Sequence, residues 1–339
     1  MGLSRVATRV AGRSWPALAI PAAIAIALLD DPLWTHLATL VAIWSLWGTS
    51  LNLVWGYAGQ FSMAQSALGA LAAYVAGILI GHYGLPVSAG LIAALLAAVA
   101  ASIVIGFSAL RLRGFYFAIM TLAFLLVLLA VLDNSALAGR TTGLVISYRL
   151  GIVDLGPLEW NLDSRHGGFL MVAALLVMLT LLATGRLLNV RAGRAMLAVR
   201  DDPLLAMSLG INPSVYKVAA FALSAVVAGL AGILLSMYLH YITPDFYGFD
   251  TLITMIVILV IGGTGRMLGG VAGAVVYVVL VDGLRFGGDY RQGVFGVILI
   301  LIVIFAPQGL VGLAARGMRW AATRRPEGAL GPSGQGAGR

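Results

Sequence analysis

NVRAGRAMLAVRDDPLLAMSLGINPSVYK, from Asn189 to Lys217, is the longest polar break on the basic side of a chain otherwise built from apolar runs. It carries a complete short-helix signature. Asp202 can cap a helix N-terminus, and Pro203 suits the first helical position, where no backbone donor is needed. Gly210 can close the helix in the left-handed conformation, and the Asn212-Pro213 pair stops any continuation. About two turns remain, which is marginal for a free helix in water. Leu204, Leu205 and Leu209 therefore need something to pack against. Two readings stand: a docking element for another subunit of a membrane protein, or an ordinary interfacial loop helix.

The composition outside this break decides the class. Of 339 residues, 61% are hydrophobic and 10% charged, with a mean hydropathy of +1.00. Soluble domains carry about 25% charged residues. Apolar runs of bilayer length, about 20 residues each, recur throughout. An all-α polytopic membrane bundle of about ten spans is expected, at 15–29, 33–54, 61–81, 85–109, 115–132, 168–188, 215–238, 251–264, 270–284 and 293–311. A cytoplasmic tail, 1–14, precedes a permease domain of 15–311. A basic tail, 312–339, expected to be disordered, follows it. With the N-terminus inside, this count puts all but Arg140, Arg149, Arg165, Arg285 and Arg291 of the 21 basic residues on the inner side, as the positive-inside rule requires. The net charge of +8 thus reads as membrane orientation rather than nucleic-acid binding. The outer loop 133–167 is long enough to dock an external partner or to form a short re-entrant or surface helix.

Two glycine-rich stretches stand at span entrances: GYAGQFSMAQSALGA (Gly56–Ala70) and GGTGRMLGGVAGA (Gly262–Ala274). Glycine at this density permits close helix approach and also broken helices, whose freed backbone groups can line a polar path. Gly56, Gly59, Gly262, Gly263 and Gly265 are the candidate hinge positions. Asn52, Gln60, Ser62, Gln65 and Ser66 bring uncharged hydrogen-bonding groups into or beside spans, where an unsatisfied polar group is costly. They are expected to face the bundle interior or a wet passage.

Catalytic chemistry finds no foothold. There is no cysteine, and no histidine pair at i, i+4 that would ligate a metal. His36, His82, His166 and His240 all fall at span ends or in loops. Asp282 is the one carboxylate inside a span, and Arg285 three residues on makes a local pair its simplest use. Lys217 lacks the phosphate-cradling glycine loop of an ATPase. A scaffold of spans with no energy source of its own fits a permease driven by a partner. The rival is a self-sufficient channel for a small neutral solute such as urea, which has no use for an inner docking helix.

Several motifs resemble one family. LNLVWGYAGQFSMAQSALGALAAYVAG (Leu51–Gly77) is similar to the opening signature of the branched-chain amino-acid ABC permeases of the LivM type, and LRLRGFYFAIMTLAF (Leu110–Phe124) to their next motif. GRAMLAVRDDPLLAMSLGINPSVYKVAAFALSAVVAGLAG (Gly193–Gly232) resembles their cytoplasmic loop and following span, and LVIGGTGRMLGGVAGA continues the likeness from Leu259. The resemblance runs from about Leu40 to Gly312. It implies a bacterial inner-membrane subunit with cytoplasmic termini, paired with a homologous LivH-like permease. Two cytoplasmic ATPases using ATP and Mg would drive it, and a periplasmic binding protein would feed it. This chain itself would bind no cofactor. The loop 189–214 would hold the coupling helix, with Arg200, Asp201, Asp202, Pro203, Leu204, Leu205, Ala206 and Gly210 as the ATPase-coupling residues. Ala206 and Gly210 stand at the Ala-x3-Gly positions of the importer signature, and Leu205 replaces its usual Glu. Urea and short-chain amide importers share the fold, so they remain the alternative substrate class.

Overall fold

The computed structural model describes residues 31–109, 114–146, 152–154, 159–161, 167–283, 296, 304 and 309–312. The predicted span 15–29, nearly all of 293–311, the tail 1–14 and the tail beyond Gly312 lie outside the described residues. So does the pairing of Asp282 with Arg285. The remaining eight predicted spans all fall on helices.

The helices are α1 (Pro32–Leu51), α2 (Gln65–Ala76), α3 (Val87–Ala109), α4 (Phe115–Asn134), α5 (Gly167–Asn189), α6 (Arg191–Asp201), α7 (Pro203–Ser208), α8 (Pro213–Leu239), α9 (Phe249–Gly262) and α10 (Gly269–Gly283). Two π-helical turns extend α1 and α2, over Asn52–Tyr57 and Gly77–His82. Seven helical segments among the described residues are long and apolar enough to cross a membrane. They run Pro32–Tyr57, Gln65–His82, Val87–Phe107, Phe115–Asn134, Gly167–Asn189, Pro213–Leu239 and Pro244–Gly262, with the shorter apolar helix α10 after them. The chain is a multi-pass helical membrane protein.

One start device recurs. Asp31-Pro32, Asp202-Pro203 and Asn212-Pro213 each place an Asx cap before a proline at the first helical position. The side-chain oxygen accepts from the second or third free N–H, and proline removes the need to satisfy the first. The prediction that Asn212-Pro213 ends a helix is thus half the story: the same pair opens α8.

The centre of the bundle is α1 and α8, with 72% and 67% of their spans buried, against 33% and 28% for α3 and α4 at the rim. α8 packs between α1, α2 and α3, while α10 lies against α1 and α9. Large residues enter where small ones make room. Trp47, fully buried, lies over Gly69, where an added Cβ would stand 2.0 Å from its ring. The α9–α10 hairpin is tighter still: a Cβ on Gly273 would fall 1.8 Å from the Ile258 carbonyl oxygen, and one on Gly262 would fall 1.7 Å from that of Gly269. Backbone-to-backbone contact of this kind raises dispersion attraction where lipid supplies no hydrophobic drive.

The loop 133–167 is neither a re-entrant nor a surface helix where it is described. A 3-10 turn, Arg140–Thr142, leads into β1 (Leu144–Val145), which pairs antiparallel with β4 (Tyr241–Ile242) after α8. β2 (Ile152–Asp154) and β3 (Glu159–Asn161) form a second antiparallel ribbon. Gly143, in the Thr141–Gly143 triplet, has φ +72° and sits against Ile242, whose oxygen an added Cβ would approach to 2.1 Å. At that φ and that distance only glycine fits beside β4.

The hairpin packing predicts a contrast between two glycines from similar small-residue patterns. Gly273→Ala should lower stability by about 2 kcal/mol, because backbone must shift to admit the methyl. Gly81→Ala, with nothing within 4 Å of its added Cβ, should stay within about 0.5 kcal/mol of the parent. Thermal unfolding of the detergent-solubilised chain measures both, and equal losses would contradict the packing argument.

Candidate docking helix and helix breaks

The polar break folds as two helices, not one. The sequence reading missed α6. Its signal was there in Ala195, Met196 and Val199, three residues on one helical face that are all buried. Met196 joins Ala58 and Ala220 in a small apolar cluster, with Leu187 and Tyr216 at its edge. This cluster seats α6 on the first glycine stretch and on the start of α8.

α7 follows at once. Asp202 Oδ1 accepts from the N–H groups of Leu204 and Leu205 at 2.8 and 3.1 Å. At the other end, Ile211 N–H donates to the Ala206 oxygen and Gly210 N–H to the Met207 oxygen, both at 3.0 Å. This is the Schellman pattern, and it needs a left-handed residue after the helix. Gly210 supplies it with φ +80°. Ala206 is buried as the anchor, while Leu204, Leu205, Met207 and Leu209 are between 55% and 71% exposed. Asp201, Asp202 and Pro203 are exposed as well. The packing partner that the three leucines require is not supplied by the described residues of this chain.

Beside α7 opens a cavity of about 940 Å³, lined in part by Gly59, Gln60, Phe61, Phe117, Leu204 and Lys217. It lies between the docking segment, the first glycine stretch and the start of α4.

Both glycine stretches are helix breaks. The first leaves the π turn at Tyr57, runs irregularly past Gly59 (φ +70°), and re-enters helix at Gln65. The second leaves α9 at Gly262, passes Gly263 (φ +107°) and Gly265 (φ +70°), and re-enters at Gly269. The two breaks meet at the same end of the bundle. Asn52 joins them: its Nδ2 donates to the Arg266 oxygen at 2.7 Å, and its Oδ1 accepts from Gly265 N–H at 2.8 Å. Gly56 lies so near that an added Cβ would stand 2.7 Å from Gly265 N.

The polar residues proposed for a passage separate into two groups. Gln60 is half-buried and lines the 940 Å³ cavity. Asn52, Ser62, Gln65 and Ser66 are buried between helices and do not line it. Gln65 accepts from Ser50 Oγ at 2.9 Å and donates to Ser224 Oγ at 3.3 Å, and Ser50 Oγ also reaches the Ser224 oxygen at 2.9 Å. That knot ties α1, α2 and α8 together. Ser50 and Ser224 escaped the sequence reading because a lone serine inside a span carries no pattern. Ser62 Oγ accepts from Ala64 N–H, and Met63 N–H in the same break finds Thr121 Oγ1 at 2.9 Å. Ser66 Oγ is buried without a hydrogen-bond partner.

A family described as "Branched-chain amino acid transport system / permease component" matches residues 33–303. The chain belongs to that family. The high-affinity branched-chain amino acid transport system permease protein LivM of Escherichia coli (strain K12) is 32% identical over 296 residues, 81% of this chain and 69% of the relative. LivM of Salmonella typhimurium is equally similar. The LivH permease protein of Salmonella typhimurium is 30% identical over 124 residues, 36% of this chain and 40% of that relative. No solved structure matches the chain. Family membership covers both breaks and the docking segment, so these features belong to a transport permease.

The Asn52 clamp is testable without transport. Asn52→Leu keeps the shape but strips partners from Gly265 N–H and the Arg266 carbonyl, and should cost about 3 kcal/mol. Thermal unfolding in detergent reads the loss; a variant as stable as the parent would show that the breaks do not need this side chain.

Proposed function

We propose that the chain is a permease subunit of an ATP-driven importer for branched-chain amino acids, seated in a bacterial inner membrane with both termini cytoplasmic. It pairs with a homologous LivH-like permease. Two cytoplasmic ATPases hold the ATP and Mg, and a periplasmic binding protein delivers the solute. One observation carries the reading: 32% identity to LivM across 81% of this chain and 69% of that relative, whose name states a branched-chain amino acid permease. The sorting of basic residues to one side supports the orientation. The exposed apolar side chains of α7, on the side so assigned to the cytoplasm, support an ATPase partner.

In this reading α7 is the handle. ATP binding closes the ATPases and moves α7, and rigid-body rocking of spans about the two breaks switches access between the faces. Arg200, Asp201 and Asp202 frame the handle, Leu204 and Leu205 fill the partner's groove, and Gly210 fixes its end. Gln60 lines the inner mouth of the path. Asn52, Ser62, Gln65 and Ser66 act at the wall, holding it closed on its own side. Their enclosure favours a path shared with a second permease over a channel through this chain alone. Affinity resides in the binding protein, so a weakly polar wall that does not retain the cargo suits the task.

Co-reconstitution of the chain with its partner permease, ATPases and binding protein should give ATP-dependent leucine uptake that exceeds uptake of urea or acetamide. The chain alone should leave liposomes sealed to all three. Selective urea uptake, or rapid flux through the lone chain, would replace this reading with the amide importer or the channel.

Two handle variants follow. Leu205→Asp puts a carboxylate into an apolar dock and should cut uptake at least about tenfold. Gly210→Pro cannot adopt φ +80° or donate to Met207, and should cut uptake to a similar extent. Both chains should still co-purify with the partner permease. Undiminished uptake in either would remove α7 from the coupling path.

A further inference from the structure

Arg200 is the last basic residue of α6, two positions before the α7 cap, and although the residue is exposed its side chain turns back toward the bundle. Its Nη1 donates to the Gly56 carbonyl oxygen. Its Cγ lies 3.1 Å from where Gly59 would carry a Cβ, and its Nη1 lies 2.7 Å from the corresponding point on Gly265. The guanidinium therefore sits between the two helix breaks, touching one by a hydrogen bond and the other by van der Waals contact. Gly265, left-handed at φ +70°, is a position where a side chain would collide with it. The Gly56 carbonyl lies in the last turn before the first break, where the carbonyls have no intrahelical partner.

Resting on the permease reading above, we infer that Arg200 is the positioning residue that makes the docking segment and both glycine breaks move as one body. Three side chains close the unit. Arg200 holds the first break at Gly56, and Asn52 holds the second at Gly265 and Arg266. Asp202, two residues beyond Arg200, holds α7. A displacement imposed on α7 then reaches the two points where the spans are free to bend. Elsewhere the docking segment rests on apolar contact: Met196 against Ala58 and Ala220, which carries load but slides more readily than a charge-assisted hydrogen bond. Arg200 touches neither solute nor nucleotide in this role. It acts through the Gly56 backbone.

The test uses the complete transporter in proteoliposomes and reads leucine taken up per ATP hydrolysed. Arg200→Ala should lower that ratio about tenfold, the size of one lost charge-assisted hydrogen bond. Arg200→Lys keeps a cationic donor able to reach one carbonyl, and should recover at least half of the parent ratio. A merely structural arginine would lower uptake and hydrolysis together and leave the ratio unchanged. An unchanged ratio in Arg200→Ala overturns the inference, and so does a lysine variant no better than alanine. Loss of co-purification with the partner subunits in Arg200→Ala would make Arg200 an assembly residue and overturn it equally. The parent complex keeps the two levels apart. A parent that does not pump leucine defeats the permease reading, whereas a parent that pumps beside an unaffected Arg200→Ala defeats the Arg200 inference alone.

Discussion

A backbone N–H or C=O freed inside a packed helical bundle needs a new partner, and much of the described fold at the α7 end answers that constraint. Two spans break there, and each break releases several such groups. The bundle meets part of this need by bringing the breaks together, so that an amide beside the first serves two backbone groups of the second. Asn52 is suited to this because it offers a donor and an acceptor on one rigid plane. It takes the N–H of Gly265 and gives to the oxygen of Arg266. A carboxylate there would lack the donor, and a serine would not span the gap. The glycines are the geometric condition for this arrangement, since Gly56 and Gly265 let the two segments approach to backbone contact.

The same constraint explains how polar side chains are used deeper in the bundle. Ser50, Gln65 and Ser224 satisfy one another across three helices. Thr121 accepts from Met63 N–H in the first break while its own hydroxyl remains bonded to its helix. Uncharged groups suffice for these tasks, and the low charge of the chain follows. Each such link is worth about 1 kcal/mol and can be exchanged without exposing an ion to lipid.

How much of this was legible beforehand follows from range in sequence. The α7 signature was readable because Asp202, Pro203 and Gly210 act within a few residues of one another, and local capping rules apply there unchanged. The breaks were readable as glycine clusters, since glycine density marks a backbone need wherever it lies. What the clusters touch was not readable: Asn52 and Gly265 stand far apart in the chain, as do Arg200 and Gly56, and no local rule reports such pairings. Asn52, Ser62, Gln65 and Ser66 are buried between helices while Gln60 lines the cavity, and a buried amide that knits helices and one that lines a path look alike in a string of letters. The outer loop misled for a related reason, because the partner of its first strand lies beyond the whole of α5 to α8.

A six-residue helix is seldom stiff, and α7 shows how one reaches that state. Alone in water a helix of this length hardly forms, since nucleation fixes several residues before any hydrogen bond compensates. Here the nucleus is fixed from outside: Pro203 presets one dihedral, Asp202 satisfies two N–H groups, and the Gly210–Ile211 turn satisfies two carbonyls. Ala206 ties the middle to the bundle by burial. The order that a partner would otherwise have to impose on binding is therefore already present. The four exposed apolar side chains can be engaged at little further entropic cost. In the proposed mechanism, stiffness in α7 and bendability at the breaks are complementary: force applied to a rigid element would deform the chain at its glycine-rich breaks.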